Sequence, residues 1–87
     1  GLEDLNKYSL VTFYPNPVKD ELRLNLSESI EGSAEVSIFD LTGRKWYTAH
    51  MASGNLLINV SALTSGTYLI QVKAGQLGLI NRRFLKI

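Results

Sequence analysis

The side chains with the most chemical potential in this chain are a single histidine and a pair of adjacent carboxylates. His50 has no second histidine and no cysteine to complete a metal site. No serine stands in a nucleophile motif that His50 could serve as a base. Asp20 and Glu21 are neighbours, and neighbours on a strand point to opposite faces, so they cannot act together across one bond. The residues therefore predict no catalytic centre, no metal site and no cofactor.

Two further groups suggest binding chemistry. The pair Trp46-Tyr47 is the best candidate for stacking on a sugar, although adjacent aromatic residues on a strand divide between core and surface. The last predicted strand combines cations with an aromatic ring, in Arg82, Arg83, Phe84 and Lys86. Nucleic-acid binding requires a basic groove with exposed aromatic rings, and Phe84 has the spacing of a core residue. We therefore expect no nucleic-acid partner.

Length and composition describe one small domain. The 87 residues include no cysteine, so neither a disulfide nor a thiolate metal site supports the fold. No apolar run reaches the roughly 20 residues that span a bilayer. The chain starts without a methionine and without a signal-peptide pattern, so we interpret it as part of a longer protein. Residues 1–8 resemble the remnant of a linker, and residues 9–87 form the domain.

The charges are distributed unevenly along the chain, although the net charge is only +1. All eight carboxylates lie in the first 40 residues, and six of the nine basic residues follow them. One interpretation is a basic face that meets an acidic partner. The other is that strands from the two halves pair in one sheet, which would interleave the charges.

The apolar residues alternate with polar ones almost everywhere, which is typical of half-buried strands. Leu22, Leu24 and Leu26 show this period of two, and so do Tyr68 and Ile70 with their neighbours. Turn signals divide the pattern into seven strands, at about 9–14, 21–27, 33–40, 44–50, 55–60, 67–74 and 77–86. The sequence predicts a seven-stranded antiparallel Ig-like β-sandwich with almost no helix.

The turn signals have individual physical reasons. Pro15-Asn16-Pro17 predicts a rigid bend, since proline fixes φ and restricts the residue before it. Asp40-Leu41-Thr42-Gly43 predicts a type I turn with a left-handed glycine and a bulge. Residues 61–66 predict a longer corner with one helical turn, in which Leu63 covers the end of the core. Gly66 frees the backbone before the next strand, where Tyr68 has the position of a corner tyrosine whose hydroxyl caps the main chain.

Three segments together resemble one family. Residues 14–22 (YPNPVKDEL) resemble the signature Y-P-N-P-x-x-D-x-L, and residues 36–44 (VSIFDLTGR) resemble a D-x-x-G-R/K hairpin. Residues 63–72 (LTSGTYLIQV) resemble L-x-x-G-x-Y-x-L/I-x-V, which is followed by a basic final strand. The order and spacing resemble the type A C-terminal sorting domain of the type IX secretion system. The residues that carry the resemblance are Tyr14, Pro15, Asn16, Pro17, Asp20, Asp40, Gly43, Arg44, Gly66, Tyr68, Arg82, Arg83, Phe84 and Lys86.

The resemblance implies a non-enzymatic targeting domain. Such a domain follows a secreted cargo domain, is recognised by an outer-membrane translocon, and is removed by a sortase-like peptidase at the cell surface. Many members carry lysine where this chain has Arg82 and Arg83, so the resemblance leaves open which cation matters. We expect most motif residues to be structural, whereas the basic final strand offers charge and main-chain groups to a receptor if it lies at a sheet edge. We expect a monomer.

An alternative class remains open from the residues alone. Trp46, Tyr47 and the sandwich would also suit a carbohydrate-binding or adhesive module of a secreted enzyme. A third possibility is a spacer that only stabilises its neighbour. Neither the cargo, the receptor surface nor the cleavage position follows from the sequence.

Overall fold

The structure is an all-β sandwich. A computed structural model of the chain describes residues 11–26, 33–52, 54–75 and 78–87. They form β1 (Val11–Tyr14), β2 (Glu21–Leu26), β3 (Ala34–Asp40), β4 (Lys45–Met51), β5 (Gly54–Asn59), β6 (Gly66–Ala74) and β7 (Gly78–Lys86). The described residues contain no helix, so the predicted seven-stranded class is confirmed. The linker remnant expected at residues 1–8 lies outside the described residues.

The seven strands form two antiparallel sheets. One has the order β1-β2-β5 and the other has the order β4-β3-β6-β7, an arrangement consistent with an Ig-like sandwich. Strands from the two halves of the chain are mixed in the larger sheet, because β3 lies between β4 and β6. Glu35 on β3 is consequently opposite His50 on one side and Lys73 on the other. One early carboxylate thus lies between two late basic residues on this face.

The core follows the predicted alternation. Every second residue of β2 is buried, and so are the inward residues of β3 and β6. The largest fully buried side chains are Phe84, Leu22, Leu24, Leu26, Ile38, Ile58, Ile70 and Ile80, with Val11, Val18, Val36 and Val60. Tyr47 packs against this cluster, whereas Trp46 remains 45% exposed. The two adjacent aromatic residues therefore differ in burial, as the sequence predicts.

The hairpin between β3 and β4 has the predicted form. The Gly43 amide donates to the Asp40 carbonyl at 3.0 Å, and Gly43 has a φ of 90°. The register shifts between Ile38 and Phe39, where β4 carries the extra residue of a bulge.

The corner at residues 61–66 differs from the prediction. It contains a single turn, closed by the Leu63 amide and the Val60 carbonyl at 3.0 Å, and no helix. The side-chain oxygen of Asn59 accepts from both the amide and the hydroxyl of Ser61, at 2.9 and 2.6 Å. Such local side-chain bonds compete with helix formation, which explains the wrong prediction of a helical turn. Leu63 nevertheless packs against the core as expected.

Truncation of core residues should test the alternation directly. Leu24→Ala and Ile70→Ala each remove a fully buried side chain, so each should lower the free energy of unfolding by about 2–5 kcal/mol. Urea unfolding followed by circular dichroism measures the loss. Leu57→Ala is the matched control, because Leu57 is half exposed and its truncation should change stability by less than about 0.5 kcal/mol. Equal midpoints for all three variants and the parent would contradict the assigned faces.

Candidate recognition surface

The chain passes from one sheet to the other through residues 15–18, which we call the crossing segment. β1 ends at Tyr14 in the smaller sheet, and Val18 then pairs in parallel with Lys86 of β7. The Val18 amide donates to the Leu85 carbonyl at 2.8 Å, and the Ile87 amide donates to the Val18 carbonyl at 2.9 Å. Val18 is itself fully buried, so both its side chain and its main chain hold β7 against the sandwich.

Asn16 adds a third bond to the same strand. Its side-chain oxygen accepts from the Leu85 amide at 2.9 Å, while the prolines on either side remain exposed. Both prolines follow cis peptide bonds. The YPNP signature thus positions one asparagine oxygen and one valine on the outer side of β7.

β7 is an edge strand, and its outer side is covered only near its end. Leu85 directs its main-chain groups away from β6, because they bond to the crossing segment instead. Orientation alternates along an antiparallel strand, so the main-chain groups of Leu79, Asn81 and Arg83 face the same way. No described residue is hydrogen-bonded to these groups. Within the described structure, the first part of β7 is therefore an open edge.

The basic residues of β7 occupy three different environments. Arg82 lies half buried between the sheets, where its Nη1 donates to the Val11 carbonyl at 3.3 Å and its guanidinium lies 5.3 Å from the centre of the Phe13 ring. Lys86 is only 6% exposed, and its Nζ donates to the Ile87 carbonyl at 2.7 Å. Arg83 is exposed and has no hydrogen bond, ion pair or ring contact with the described residues.

Phe84 belongs to the core between these cations. Its ring is stacked on Tyr68 at 5.6 Å between centroids and meets Phe13 edge-on at 6.5 Å. The Tyr68 hydroxyl donates to the Thr64 carbonyl at 2.7 Å, which is the corner-tyrosine bond that the sequence predicts. Gly66, with a φ of 153°, starts the strand that carries this tyrosine. Phe84, Tyr68 and Gly66 thus support β7 from inside.

Asp40 organises the hairpin on the far side of the larger sheet. Its Oδ1 accepts from the Thr42 amide and hydroxyl and from the Arg44 amide, and its Oδ2 accepts from the Trp46 indole at 2.9 Å. These bonds, led by those from the Thr42 and Trp46 side chains, lower the pKa of Asp40 from 3.8 to about 2. The Arg44 guanidinium lies 4.3 Å from the centre of the Trp46 ring. The D-x-x-G-R motif is therefore a local network around one carboxylate.

The remaining candidates are dispersed. Tyr14 is 55% exposed on the outer face of the smaller sheet. The Asp20 side chain is exposed, while its carbonyl accepts from the Val60 amide at 2.7 Å. His50 is exposed and lies 3.6 Å from a Glu35 carboxylate oxygen. Among the described residues, no group of three metal-ligating side chains converges. Helices long and apolar enough to cross a bilayer are also absent from the part of the chain that the structure describes.

Sequence reasoning missed two features of this surface. It treated residues 15–17 as a bend only, whereas Asn16 and Val18 bind the final strand. The available signal for Val18 was its position as an isolated apolar residue between Pro17 and Lys19. It also grouped Arg82 with Arg83, although alternation along a strand already separates neighbours onto opposite faces.

The chain belongs to the family of secretion system C-terminal sorting domains, whose family model matches residues 12–86. The family expected from the three motifs is thus confirmed. Membership implies that the protein carrying the domain is secreted with the help of a secretion machinery. Sorting-signal domains are generally non-catalytic.

A solved structure shows the same fold. It is that of PorZ, described as an essential bacterial surface component of the type-IX secretion system of Porphyromonas gingivalis. The TM-score is 0.77 and the sequence identity is 24%, over 100% of this chain and 13% of that chain. At this identity the likeness concerns the fold, and this chain corresponds to a small part of that protein. No curated protein matches the chain.

The Asp40 network should make hairpin stability depend on acid pH. A folded-state pKa of about 2 lies below the ordinary 3.8, so the ionised carboxylate stabilises the fold above pH 4. This stabilisation falls as pH decreases through 3.8 and is lost below about 2. Asp40→Asn should therefore lower Tm at pH 7, and the difference from the parent should shrink towards pH 2.

Thermal unfolding at pH 7, 4 and 2, followed by circular dichroism, measures this convergence. Asp20→Asn is the control, because the Asp20 side chain makes no hydrogen bond with the described residues. A Tm difference between Asp40→Asn and the parent that stays constant over this range would refute the assignment.

The bond from Asn16 should protect one amide of β7. Asn16→Ala removes the acceptor of the Leu85 amide, which should speed its hydrogen exchange by about fivefold, the factor that corresponds to roughly 1 kcal/mol. Exchange of the Ile80 amide, which belongs to the buried part of β7, should change less. Lys19→Ala, directly after the crossing segment, is the exposed control. Unchanged Leu85 exchange in Asn16→Ala would contradict the proposed role of Asn16.

Proposed function

We propose that this domain directs an N-terminally fused cargo through a type IX secretion system, across the outer membrane, to the cell surface or beyond. Family membership and the fold shared with PorZ support the system and the destination. The observation that carries the proposal is the fixed, open edge of β7. A strand that is ordered before its receptor arrives loses less conformational entropy on binding, and β7 is held by β6 along its length and by the crossing segment at its end.

The receptor contacts the first part of β7 in this proposal. Main-chain groups at Leu79, Asn81 and Arg83 point outward and are available for strand addition. Their side chains also lie on the exposed outer face of the sheet. A partner strand there would gain main-chain hydrogen bonds at the edge and side-chain contacts on the face.

Arg83 is the cation that the receptor recognises. Arg82 is occupied between the sheets and Lys86 is buried, so neither presents its charge freely at the surface. Arg83 carries a permanent charge and a planar guanidinium that suits a carboxylate of the receptor. This division supports Arg83, among the three basic residues of the final strand, as the one that the receptor contacts.

Removal of the domain by a sortase-like peptidase completes the proposed route. The described fold begins at Val11, whose partner in β2 is Leu26. Cleavage inside β1 would remove a strand from the smaller sheet, whereas cleavage N-terminal to Val11 keeps every described strand. We therefore place the cut upstream of Val11, between the cargo and the sandwich.

Export of a reporter tests this function. Residues 1–87, fused behind an inert periplasmic reporter, should bring the reporter to the surface of a host with a type IX system. Arg83→Ala should reduce the surface fraction by about tenfold, as expected for loss of one charge-assisted contact worth roughly 1.5 kcal/mol. The stability of the domain should change by less than about 0.5 kcal/mol, because Arg83 is exposed.

The control variants separate recognition from folding. Arg23→Ala removes an exposed arginine from the smaller sheet and should leave both export and stability unchanged. Arg82→Ala should lower the free energy of unfolding by about 1–2 kcal/mol, since it loses a partly buried bond and a ring contact. Periplasmic retention of the intact parent fusion would reject the targeting function. Normal export of Arg83→Ala would reject only the role of Arg83.

A further inference from the structure

The side of the sandwich opposite β7 carries a second surface feature. β4 is the other edge of the larger sheet and β5 is an edge of the smaller one. Between them lies a small notch of about 140 Å³, formed mainly by Ile38, Trp46, Tyr47, Ile58, Val60 and Leu63. A cavity of about 150 Å³ with apolar walls is large enough to hold a benzene ring. The notch therefore has room for one aromatic or branched apolar side chain.

The walls of the notch are held in place before any partner binds. The Trp46 indole donates to Asp40 Oδ2 at 2.9 Å, and the Arg44 guanidinium lies 4.3 Å from the centre of its ring. The hydrogen bonds that Asp40 accepts also fix the hairpin that carries Trp46. An exposed aromatic side chain with a fixed orientation loses little conformational entropy on binding. Trp46 is thus a preorganised wall, although it is 45% exposed.

The rim of the notch has a cation without a described carboxylate partner. Arg44 bonds to Asp40 through its main-chain amide and carbonyl only, and its guanidinium has the Trp46 ring as its described contact. Lys45, next along the chain, lies 5.6 Å from the centre of the Phe39 ring on the outer face of the larger sheet, away from the notch. The guanidinium of Arg44, stacked on a wall of this apolar notch, complements a segment in which a carboxylate stands next to an apolar residue.

The edge of β4 suits an extended segment rather than a compact ligand. The Asp40 amide donates to the Arg44 carbonyl, so the main-chain groups of the even-numbered residues of β3 point towards β4. One of these residues, Ile38, is paired with Tyr47, so the main-chain groups of Tyr47 point towards β3. By alternation, the main-chain groups of Thr48 and His50 point away from β3. An incoming strand could pair with these groups while one of its side chains enters the notch.

We propose that this notch and the adjoining edge of β4 form a second docking site, which binds an extended acidic segment of another protein. One aromatic or branched apolar side chain of the segment fills the notch, and a neighbouring carboxylate meets Arg44. The site lies on the opposite side of the sandwich from β7, so both edges can be occupied at once. The proposal does not depend on the export function.

Three capped tripeptides serve as probes in a titration of the ¹⁵N-labelled domain, followed by NMR. Acetyl-Asp-Phe-Asp-amide should shift the Trp46 indole signal and the amides of Ala62 and Leu63. Acetyl-Lys-Phe-Lys-amide and acetyl-Asp-Ala-Asp-amide should each bind at least about tenfold more weakly, which corresponds to roughly 1.4 kcal/mol. Arg44→Gln should weaken binding of acetyl-Asp-Phe-Asp-amide severalfold, so that the domain no longer prefers it to the lysine peptide.

Two variants test the notch itself. Trp46→Ala removes one wall and should abolish the shifts, but it also removes a bond to Asp40. Ala62→Leu therefore serves as the second variant, because it fills the notch from its exposed rim and leaves the Asp40 network in place. Leu79→Ala, on β7, is the control and should bind as the parent does.

Several outcomes would overturn the proposal. These are absence of shifts at millimolar peptide, equal binding of the lysine peptide, and unchanged binding by Ala62→Leu. Shifts at the notch caused by cellohexaose and not by the acidic peptide would assign the site to a glycan instead. Concentration-dependent self-association that Ala62→Leu abolishes would assign it to a second copy of the chain.

Discussion

The structure depends on the passage of the chain from one sheet to the other through residues 15–18. An edge strand presents unpaired main-chain groups along its outer side, and part of that side is satisfied here by Asn16 and Val18. The same few residues end β1 and secure β7, so the first and last strands are joined across the seam of the sandwich. The conformation of β7 is therefore a property of the whole domain.

The seam also explains why the basic residues of β7 differ in role. A strand directs neighbouring side chains to opposite faces, and one face of β7 meets Phe13 and Tyr68 in the core. Arg82 lies on that inner side and closes the gap between the sheets with its hydrocarbon stem and guanidinium. Arg83 lies on the outer side, where its charge is available. In the function that we propose, Arg82 thus stabilises the sandwich and Arg83 contacts the receptor.

The hairpin between β3 and β4, on the opposite side of the domain from β7, is stabilised by local contacts. The hairpin at Asp40 is held by short-range bonds from three nearby residues, not by contacts between distant strands. These bonds leave Trp46 exposed yet oriented, next to a gap between the sheets. On the β7 side, Val18 of the crossing segment pairs with the edge strand, whereas the described residues on the β4 side leave a notch between the sheets. A small domain can in this way present one edge to each of two partners.

Much of the architecture was accessible from the sequence because its causes are local. Alternation of apolar residues predicted the strands and their inward faces, and the glycine of the D-x-x-G turn predicted the hairpin. The three motifs identified the family, which the family comparison confirmed. The prediction of a helical turn at residues 61–66 was wrong, because the Asn59 side chain accepts a hydrogen bond from the Ser61 amide there.

Sequence alone thus determined the strand periodicity, the turn chemistry and the family, since each depends on residues close together in the chain. Tertiary structure alone decided which strand forms an edge, and what Arg82, Asn16 and Val18 bind. The physical reason is distance along the chain. The Leu85 amide and the Asn16 side chain are 69 residues apart, and no local pattern records which residues become neighbours once two sheets pack.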